Sequence, residues 1–221
     1  MNQQLIQLAK AWKATGLPSQ RGFDWSASRD NWKLYFAKES NHISALNTEI
    51  DRAEVRRVME SDKHTIREKF ITVMIWGYGN RGYGPYRVGQ MLGQAHSESV
   101  LTQVYLMCQQ GDSKRAYEFM SRNRLPQLSP AFGTKFLSFC SSRDKAAPIY
   151  DALVAQWIRD FAAIDFEGIS TSSVGWRIKT YSRYVDWISE HAKSIECFPD
   201  EIEQILFQDA EQRYSRTRIK G

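Results

Sequence analysis

Residues 117–157 read YEFMSRNRLPQLSPAFGTKFLSFCSSRDKAAPIYDALVAQW, and the first half of this stretch predicts a helical hairpin. One helix ends near Arg122, a tight connection covers 125–128, and Ser129-Pro130 begins a second helix. Serine is a favoured N-cap, and proline is favoured at the first helical position because no partner is needed for its missing N–H. The unpaired amides at such a helix start can hold a phosphate group. An ordinary corner between two helices is the alternative.

Lys135 lies about a turn and a half into the second helix, among the apolar side chains Phe132, Phe136, Leu137 and Phe139. Burial among such neighbours disfavours the charged ammonium and so increases the fraction of neutral, nucleophilic amine. The alternative is that the side chain reaches past its neighbours to solvent and has no chemical role.

A carboxylate follows Lys135 after 16 residues (151 − 135), in the segment Pro148-Ile149-Tyr150-Asp151. This segment leads into an amphipathic helix, and Asp151 fits the N-cap of that helix. Ionised carboxylates are favoured at an N-cap by the unpaired amides and by the helix dipole. Considered singly, Asp151 is equally well explained as a plain structural cap.

The composition is that of a folded basic protein. Of the 221 residues, 42% are hydrophobic and 13% aromatic, which is enough to bury a substantial core. A formal net charge of +5 permits a polyanionic partner without requiring one. We expect a cytoplasmic protein, because no stretch is apolar for long enough to span a bilayer and the first residues lack signal-peptide character.

Neither a disulfide framework nor a metal site is expected. Three separated cysteines without a CxxC pair indicate reduced thiols, at Cys108, Cys140 and Cys197. The histidines show no metal-ligand spacing, and they stand at His42, His64, His96 and His191. The sequence therefore predicts no cofactor and no metal.

Helical periodicity predicts an all-α domain of about ten helices over residues 1–221. Apolar residues recur at helical spacing in 65–76, 97–110, 152–165, 176–191 and 200–212. We expect Ser97 to cap the second of these helices and Gly111 to end it. Short breaks are expected at 16–19, 77–85, 123–130 and 168–175. None is long enough to be an interdomain linker.

The break at 77–85 reads GYGNRGYGP. Glycines let a backbone approach a partner closely, and Asn80, Arg81 and Tyr83 carry groups that stack on nucleic-acid bases or wedge between them. No Gly-Lys-Ser/Thr follows, so a nucleotide-phosphate loop is not expected. A Gly/Tyr turn without a binding role is the alternative.

The hairpin, the lysine in its second helix and the Pro-x-x-Asp before the next helix together resemble the helix-hairpin-helix/GPD superfamily of DNA glycosylases. Within this pattern, GTKFLSFC is similar to the lysine-bearing segment of 8-oxoguanine DNA glycosylases. The runs WGYGNRGYGPYRVGQML, LPQLSPAFGTKFL and PIYD look like a bacterial family that carries the 8-oxoguanine glycosylase (OGG) fold. The resemblance spans about residues 65–210 and is strongest over 125–157. It implies two helical lobes around a cleft, with the hairpin and catalytic segment at 113–165.

The chain departs from that superfamily in its hairpin. The usual pattern is Leu-Pro-Gly-Val-Gly, whereas residues 125–129 read LPQLS. Both glycines are missing, and glycine normally supplies positive φ and close approach to a phosphate. Lys135 also lies four residues further along than is usual, which is nearly one helical turn and keeps the same helix face.

The resemblance implies removal of a base from double-stranded DNA. Asp151 would stabilise the positive charge that develops on the sugar, and Lys135 would attack C1′ to form a Schiff base that permits β-elimination. The base must first leave the stack. The implied DNA contacts are Tyr78, Asn80, Arg81, Tyr83, Arg87, Arg122, Arg124, Gln127, Leu128, Ser129, Gly133 and Thr134, with Lys145 as a further basic neighbour. The implied base pocket comprises Phe132, Phe139, Trp176 and Tyr181, with Tyr184 beside it.

The sequence does not decide whether the base is an oxidised guanine or a hypermodified phage base. We expect the protein to be a monomer. Two other classes of function remain as alternatives. One is a helix-hairpin-helix DNA-binding module without catalysis, against which the joint presence of Lys135 and Asp151 argues. The other is a helical interaction protein unrelated to DNA.

Overall fold

The computed structural model describes residues 2–15, 22–162 and 175–218. Over these residues the chain forms twelve α-helices and one small sheet, which confirms the predicted all-α class. The helices are α1 Gln3–Ala14, α2 Ser26–Tyr35, α3 Ser40–Ala45, α4 Arg52–Glu60, α5 Ile66–Tyr78, α6 Gly84–Leu92, α7 Ser97–Gln109, α8 Ser113–Arg122, α9 Pro130–Cys140, α10 Ala152–Phe161, α11 Ile178–Ile195 and α12 Pro199–Arg218. The predicted break at 16–19 lies outside the described residues, and so does the break at 168–175 except for its last residue, Gly175.

The sheet consists of two short antiparallel strands, β1 Phe23–Asp24 and β2 Glu49–Ile50. Phe23 pairs with Ile50, and Asp24 pairs with Glu49. Because the strands stand before α2 and after α3, they close residues 22–50 into one unit, and α2 of this unit packs against α6.

Helix α5 is the central element of the fold. Thr65 caps it with a capping box, in which the Glu68 N–H donates to Thr65 Oγ1 at 3.2 Å and the Thr65 N–H donates to Glu68 Oε2 at 2.8 Å. Residues 69–76 are all buried, because α4, α6, α7 and α9 pack around this helix. The C-terminal end of α5 is therefore held beside α9.

The loop between α5 and α6 is shorter than predicted. Gly77 and Tyr78 continue α5, and Gly84 begins α6, so the loop covers only 79–83. A Cβ on Gly77 would lie 3.0 Å from Cε1 of Phe132, so the ring of Phe132 packs directly on the helix at this glycine. Tertiary packing, rather than local preference, keeps Gly77 helical.

Of the two predictions for the ends of helix α7, the one for its C-terminal end is confirmed. Gly111 has φ +79° directly after the C-cap, and the Asp112 N–H donates to Met107 O at 3.0 Å, as in a Schellman motif. The prediction that Ser97 caps the helix is wrong. Ser97 is the first helical residue, and its hydroxyl donates to Leu92 O at 3.2 Å instead.

The three last helices pack on one another and complete the core. α12 contacts α10 and α11 and also packs against α1, while α11 packs against α8. In the described part of the chain, no helix has the length and apolar character that crossing a bilayer requires. This packing places α12, the last described helix, against α10.

Candidate functional site

The turn between α8 and α9 has the predicted hairpin geometry. The Leu128 N–H donates to Leu125 O at 3.2 Å, which closes a four-residue turn with proline second. Gln127 stands third and has φ +64°. Proline second and a positive φ third are typical of a type II turn, in which glycine is usual at the third position. Gln127 thus adopts the left-handed backbone itself, at a local cost of about 1–2 kcal/mol.

Helix α9 begins where the sequence predicts, but Ser129 caps it by position only. Its backbone is extended (φ −81°, ψ 159°) and Pro130 stands at the helix start, yet the Ser129 hydroxyl makes no capping hydrogen bond. The prediction of a side-chain cap is therefore wrong. Ser129 and Gln127 are both exposed, so this end of the hairpin faces solvent.

A buried hydrogen bond joins the two segments that carry Lys135 and Asp151. The Tyr150 N–H donates to Oγ1 of Thr134 at 3.0 Å. Thr134 directly precedes Lys135, and Tyr150 directly precedes Asp151. This bond therefore holds the lysine-bearing helix beside the residues that lead into α10.

Asp151 is the N-cap of α10, as predicted. The Val154 N–H donates to Asp151 Oδ1 at 3.0 Å. The side chain is partly exposed, and Oδ2 makes no hydrogen bond to any described residue. One carboxylate oxygen thus orients the group, and the other remains accessible.

The stem of Lys135 lies against α5 and the ring of Phe132. Its Cδ is 3.1 Å from the position that a Cβ on Gly77 would occupy, and its Nζ is 5.5 Å from the Phe132 ring centroid. The residue as a whole is partly exposed. The glycine in α5 therefore leaves the space in which the lysine stem runs.

The charge on Lys135 is set by burial and by four charged neighbours. Burial lowers the pKa of Lys135, whereas the carboxylates of Asp151 and Glu203 raise it, and the cations of Arg52 and Arg81 lower it. The net direction is downward, so the neutral amine is more populated than in a free lysine.

Glu203 affects the charge on Lys135 and was not among the predicted residues. It lies on α12, is 1% exposed, and accepts hydrogen bonds from Nη2 of Arg52 at 3.2 and 2.9 Å. Burial raises the pKa of Glu203 to about 7, against the opposing effect of Arg52. The charge of Asp151 raises this pKa further, and that of Lys135 lowers it. No local signal marks Glu203, because only the tertiary fold brings it to the amine.

Two predicted pocket aromatics instead hold the segment before Asp151. Tyr181 and Tyr184 are both 0% exposed. Their hydroxyls donate to Pro148 O at 3.2 Å and to Ile149 O at 2.8 Å, respectively. The structure thus gives Tyr181 and Tyr184 a positioning role, and it does not support the predicted place of Tyr181 in a base pocket.

The other predicted pocket residues divide into accessible and buried ones. Phe132 and Trp176 are partly exposed. Phe132 stacks on Tyr78 with 4.0 Å between ring centroids, and Trp176 Nε1 donates to Leu128 O at 3.3 Å. Phe139 is only 4% exposed and packs in the core, so the structure does not support its predicted contact with a base.

Four predicted DNA contacts are buried, so their side chains do not face a duplex. Tyr78 is 2% exposed, Leu128 is 5% exposed and Thr134 is 0% exposed. Gly133 is also buried, and a Cβ at this position would lie 2.6 Å from Cη2 of Trp176. The side chains of all four are packing groups, because a side chain that faces the core cannot also face a duplex.

The loop 79–83 presents polar and aromatic groups to solvent. Asn80 is exposed, and its Nδ2 donates to Asp24 O at 2.7 Å. Arg81 is exposed, and Tyr83 is 44% exposed. The guanidinium of Arg87 lies over the Tyr83 ring at 4.6 Å from its centroid. These four predicted contacts are therefore on the surface.

Exposed apolar side chains extend this surface onto α2 and α6. Leu34 is 78% exposed, Tyr35 is 48% exposed and Tyr86 is 52% exposed. A Cβ on Gly89 would lie 3.5 Å from Cδ1 of Tyr35, so the Tyr35 ring rests on α6. None of the three was predicted as a contact. Leu34 and Tyr35, two consecutive apolar residues near the end of α2, were the available signal.

The remaining predicted basic contacts are exposed, and two of them, Arg122 and Arg124, have partners within the protein. Arg122 pairs with Glu118 at 2.5 Å, and Arg124 Nε donates to Ser121 O at 2.9 Å. Lys145 is exposed after α9. Arg122 and Arg124 flank the hairpin turn, so both are placed to meet a partner that approaches the turn.

Two surface cavities in the described part of the chain lie away from the amine and the carboxylate. One has a volume of about 380 Å³ and is lined by Gln4, Gln7, Leu8 and Arg213. The other has a volume of about 350 Å³ and is lined by Asn47, Glu49, Asp51, Ala53, Glu54 and Arg57. Neither of these cavities is the cleft that was expected beside Lys135 and Asp151.

Comparison with known proteins gives one match. Residues 1–207 match the model of a family described as "Putative 8-oxoguanine DNA glycosylase OGG-like protein". No curated protein matches the chain, and no solved structure does. The matched span contains the hairpin turn, Lys135, Asp151 and Glu203.

Proposed function

The chain belongs to the OGG-like family, and from this premise we propose that it excises a modified base from DNA. The observation that carries the proposal is the hydrogen bond from Tyr150 N–H to Thr134 Oγ1. It fixes the segments of Lys135 and Asp151 next to each other. An amine and a carboxylate in this arrangement are the groups that attack at a sugar carbon requires.

Asp151 acts on the sugar. Breaking the N-glycosidic bond places positive charge on the deoxyribose, and a fixed carboxylate stabilises that charge. The bond from the Val154 N–H to Oδ1 holds Asp151 in place, and Oδ2 faces the reaction. The base departs with the electron pair of the glycosidic bond and takes up a proton.

Lys135 acts as the nucleophile. Its neutral amine attacks C1′ as the bond to the base breaks, and the attacking nitrogen then loses a proton to Asp151 or to solvent. Opening of the sugar ring gives a Schiff base, which permits β-elimination of the 3′ phosphate. The lowered pKa of Lys135 supports this role, because only the uncharged amine has a free electron pair.

The DNA-facing surface comprises the loop 79–83 and the hairpin turn. Asn80, Arg81 and Tyr83 enter the duplex where the base is extruded, and the exposed turn residue Gln127 contacts the backbone near it. Phe132 and Trp176 are the aromatic rings available to the extruded base. The exposed ring of Tyr83, with the Arg87 guanidinium over it, supports a stacking role in the duplex.

The proposal is tested with duplexes that carry 8-oxoguanine, uracil, hydroxymethylcytosine or glucosylated hydroxymethylcytosine. Release of the base from one of them, and borohydride trapping of a covalent protein–DNA adduct, are the expected results. Lys135→Ala should abolish trapping. Lys10→Ala, an exposed lysine on α1, is the matched control and should trap like the wild type.

The variant Asp151→Asn tests the catalytic role of the carboxylate without removing the helix cap. Asparagine is as good an N-cap as aspartate but carries no charge. We expect base release to fall by about 10²–10³-fold, with DNA affinity and thermal stability nearly unchanged. Base release at the wild-type rate in this variant would remove Asp151 from the mechanism.

A DNA-binding hairpin protein without catalysis is a second candidate, and it is favoured by the exposed hairpin turn with the exposed Arg122 and Arg124 directly before it. Salt-dependent binding to DNA, without base release from any duplex and without trapping, would identify this second function.

A further inference from the structure

Three side chains that can ligate a metal converge where α3 meets the start of α5. One nitrogen each of His42 and His64 and one carboxylate oxygen of Glu68 all lie within 4.8 Å of one another. The two imidazole centroids are 4.8 Å apart, and Nδ1 of His64 is 3.9 Å from Oε2 of Glu68. Only the fold brings His42 to the other two, which is why the histidine spacing indicated no metal site.

His42 is oriented by a bond that determines which of its nitrogens is free. The Thr72 hydroxyl donates its single hydrogen to Glu68 O at 2.9 Å. Thr72 Oγ1 must therefore accept at 2.8 Å from Nε2 of His42. In the neutral ring this leaves the lone pair on Nδ1. Histidines that ligate metals commonly donate their second ring N–H to an oxygen in this way.

Glu68 keeps a carboxylate oxygen available. Its Oε2 accepts from the Thr65 N–H at 2.8 Å and from Thr65 Oγ1 at 3.1 Å, whereas Oε1 has no hydrogen bond within the described residues. The side chains of His64 and Glu68 are 24% and 22% exposed, so an ion and its water can reach them from solvent. His42, 7% exposed, forms the buried wall of the cluster.

We propose that His42, His64 and Glu68 bind one Zn²⁺ ion, with water as the fourth ligand. Two imidazoles, one carboxylate and a water make a common tetrahedral zinc set, with bonds of about 2.0–2.2 Å. Ligand atoms in such a tetrahedron are about 3.4 Å apart. Side-chain rotations that close the present spacing by about an ångström complete the site. The bound ion cross-links α3 to the first turn of α5.

The test uses the chain without a histidine tag, stripped by a chelator and titrated with zinc in a calorimeter. We expect one equivalent to bind. At zinc concentrations of about 100 times Kd, the Tm should rise by about 5–10 °C. Two variants, His64→Ala and Glu68→Gln, should lose this binding. Glutamine can take the place of Glu68 in the capping box, so Glu68→Gln removes the carboxylate without removing the helix cap.

His96→Ala is the matched control, because His96 is exposed and stands before α7, away from the cluster. It should bind zinc like the wild type. Circular dichroism of each variant establishes that the fold is retained. Absence of stoichiometric binding by the wild type would overturn the proposal. Unchanged binding by either His64→Ala or Glu68→Gln would overturn this ligand set and locate the ion elsewhere, for instance at a cysteine.

Discussion

Among the residues that were not predicted, Glu203 has the largest effect on the charge of Lys135. Its ionised carboxylate raises the pKa of Lys135, and it titrates near neutral pH because burial raises its own pKa to about 7. The neutral amine is the reactive form. The pH at which Lys135 becomes reactive therefore depends on whether Glu203 carries a proton.

Glu203→Gln should shift the pH profile of borohydride trapping to lower pH. The substitution removes a negative charge that raises the pKa of Lys135, so this pKa falls. We expect a shift on the order of one pH unit, measured as trapped adduct from pH 5 to pH 9. Glu201→Gln, on the same helix but paired with Arg143, is the control. An unmoved profile in Glu203→Gln would show that the two charges are not coupled.

The turn at Gln127 allows a stability test at the scale of the secondary-structure elements. Glycine adopts a φ of +64° without the penalty of a side chain, at the cost of greater freedom in the unfolded chain. Gln127→Gly should therefore raise the free energy of unfolding by about 0.5–1 kcal/mol, measured by urea denaturation. Gln90→Gly, at an exposed helical position in α6, should lower it by about 1 kcal/mol. Destabilisation in both variants would contradict the left-handed geometry of Gln127.

The close contact between α9 and Trp176 can be tested by the stability of a variant at Gly133. A Cβ on Gly133 would lie 2.6 Å from Cη2 of Trp176 and 2.9 Å from Sδ of Met120. Overpacking of this kind costs about 1–3 kcal/mol, which outweighs the helix-propensity gain of about 1 kcal/mol for alanine. Gly133→Ala should therefore lower the Tm. Gly82→Ala has open space around its Cβ and should leave the Tm nearly unchanged.

Element boundaries were predictable where local chemistry determines them. The Asp151 cap and the Gly111 end were found from residue type and position, and both are confirmed. The end of α5 was misplaced because packing of Phe132 and Lys135 keeps Gly77 helical. The hydroxyl of Ser97 was misassigned because a carbonyl from α6, invisible in the local pattern, accepts its proton.

At the scale of the whole molecule, the electrostatic part of DNA binding should be visible in its salt dependence. The chain carries a formal net charge of +5, and exposed arginines flank both the loop 79–83 and the hairpin turn. Each phosphate contact contributes about 0.9 to the slope of log K against log salt concentration. Arg81→Ala and Arg124→Ala should each reduce that slope by about 1, measured by fluorescence anisotropy between 50 and 200 mM salt.

The control for this measurement is Lys10→Ala, since α1 packs chiefly against α12. Its slope should equal that of the wild type. Equal slopes for all three variants would mean that neither the loop nor the hairpin turn contacts phosphate.

The sequence predicted those parts of the candidate site that lie in short local patterns, and it did not predict those whose partners are far apart along the chain. Lys135 and Asp151 were found because each lies in a short pattern, and Thr134 and Tyr150 join those patterns in space. Arg52 and Glu203 were not found, because their pairing spans 151 residues and neither stands in a recognisable motif. Several predicted contacts with DNA or with the base are buried in the structure. The sequence does not show whether an aromatic or small residue in a motif faces the core or faces a ligand.

The left-handed glutamine bears on how hairpins of this kind are recognised in other proteins. A search for phosphate-holding hairpins by their glycines passes over a turn in which a larger residue accepts the same backbone angle. A criterion based on the proline, the two buried leucines and the sign of φ would retain such turns. Chains that are now set aside for lacking the glycine signature are therefore worth screening again by their geometry.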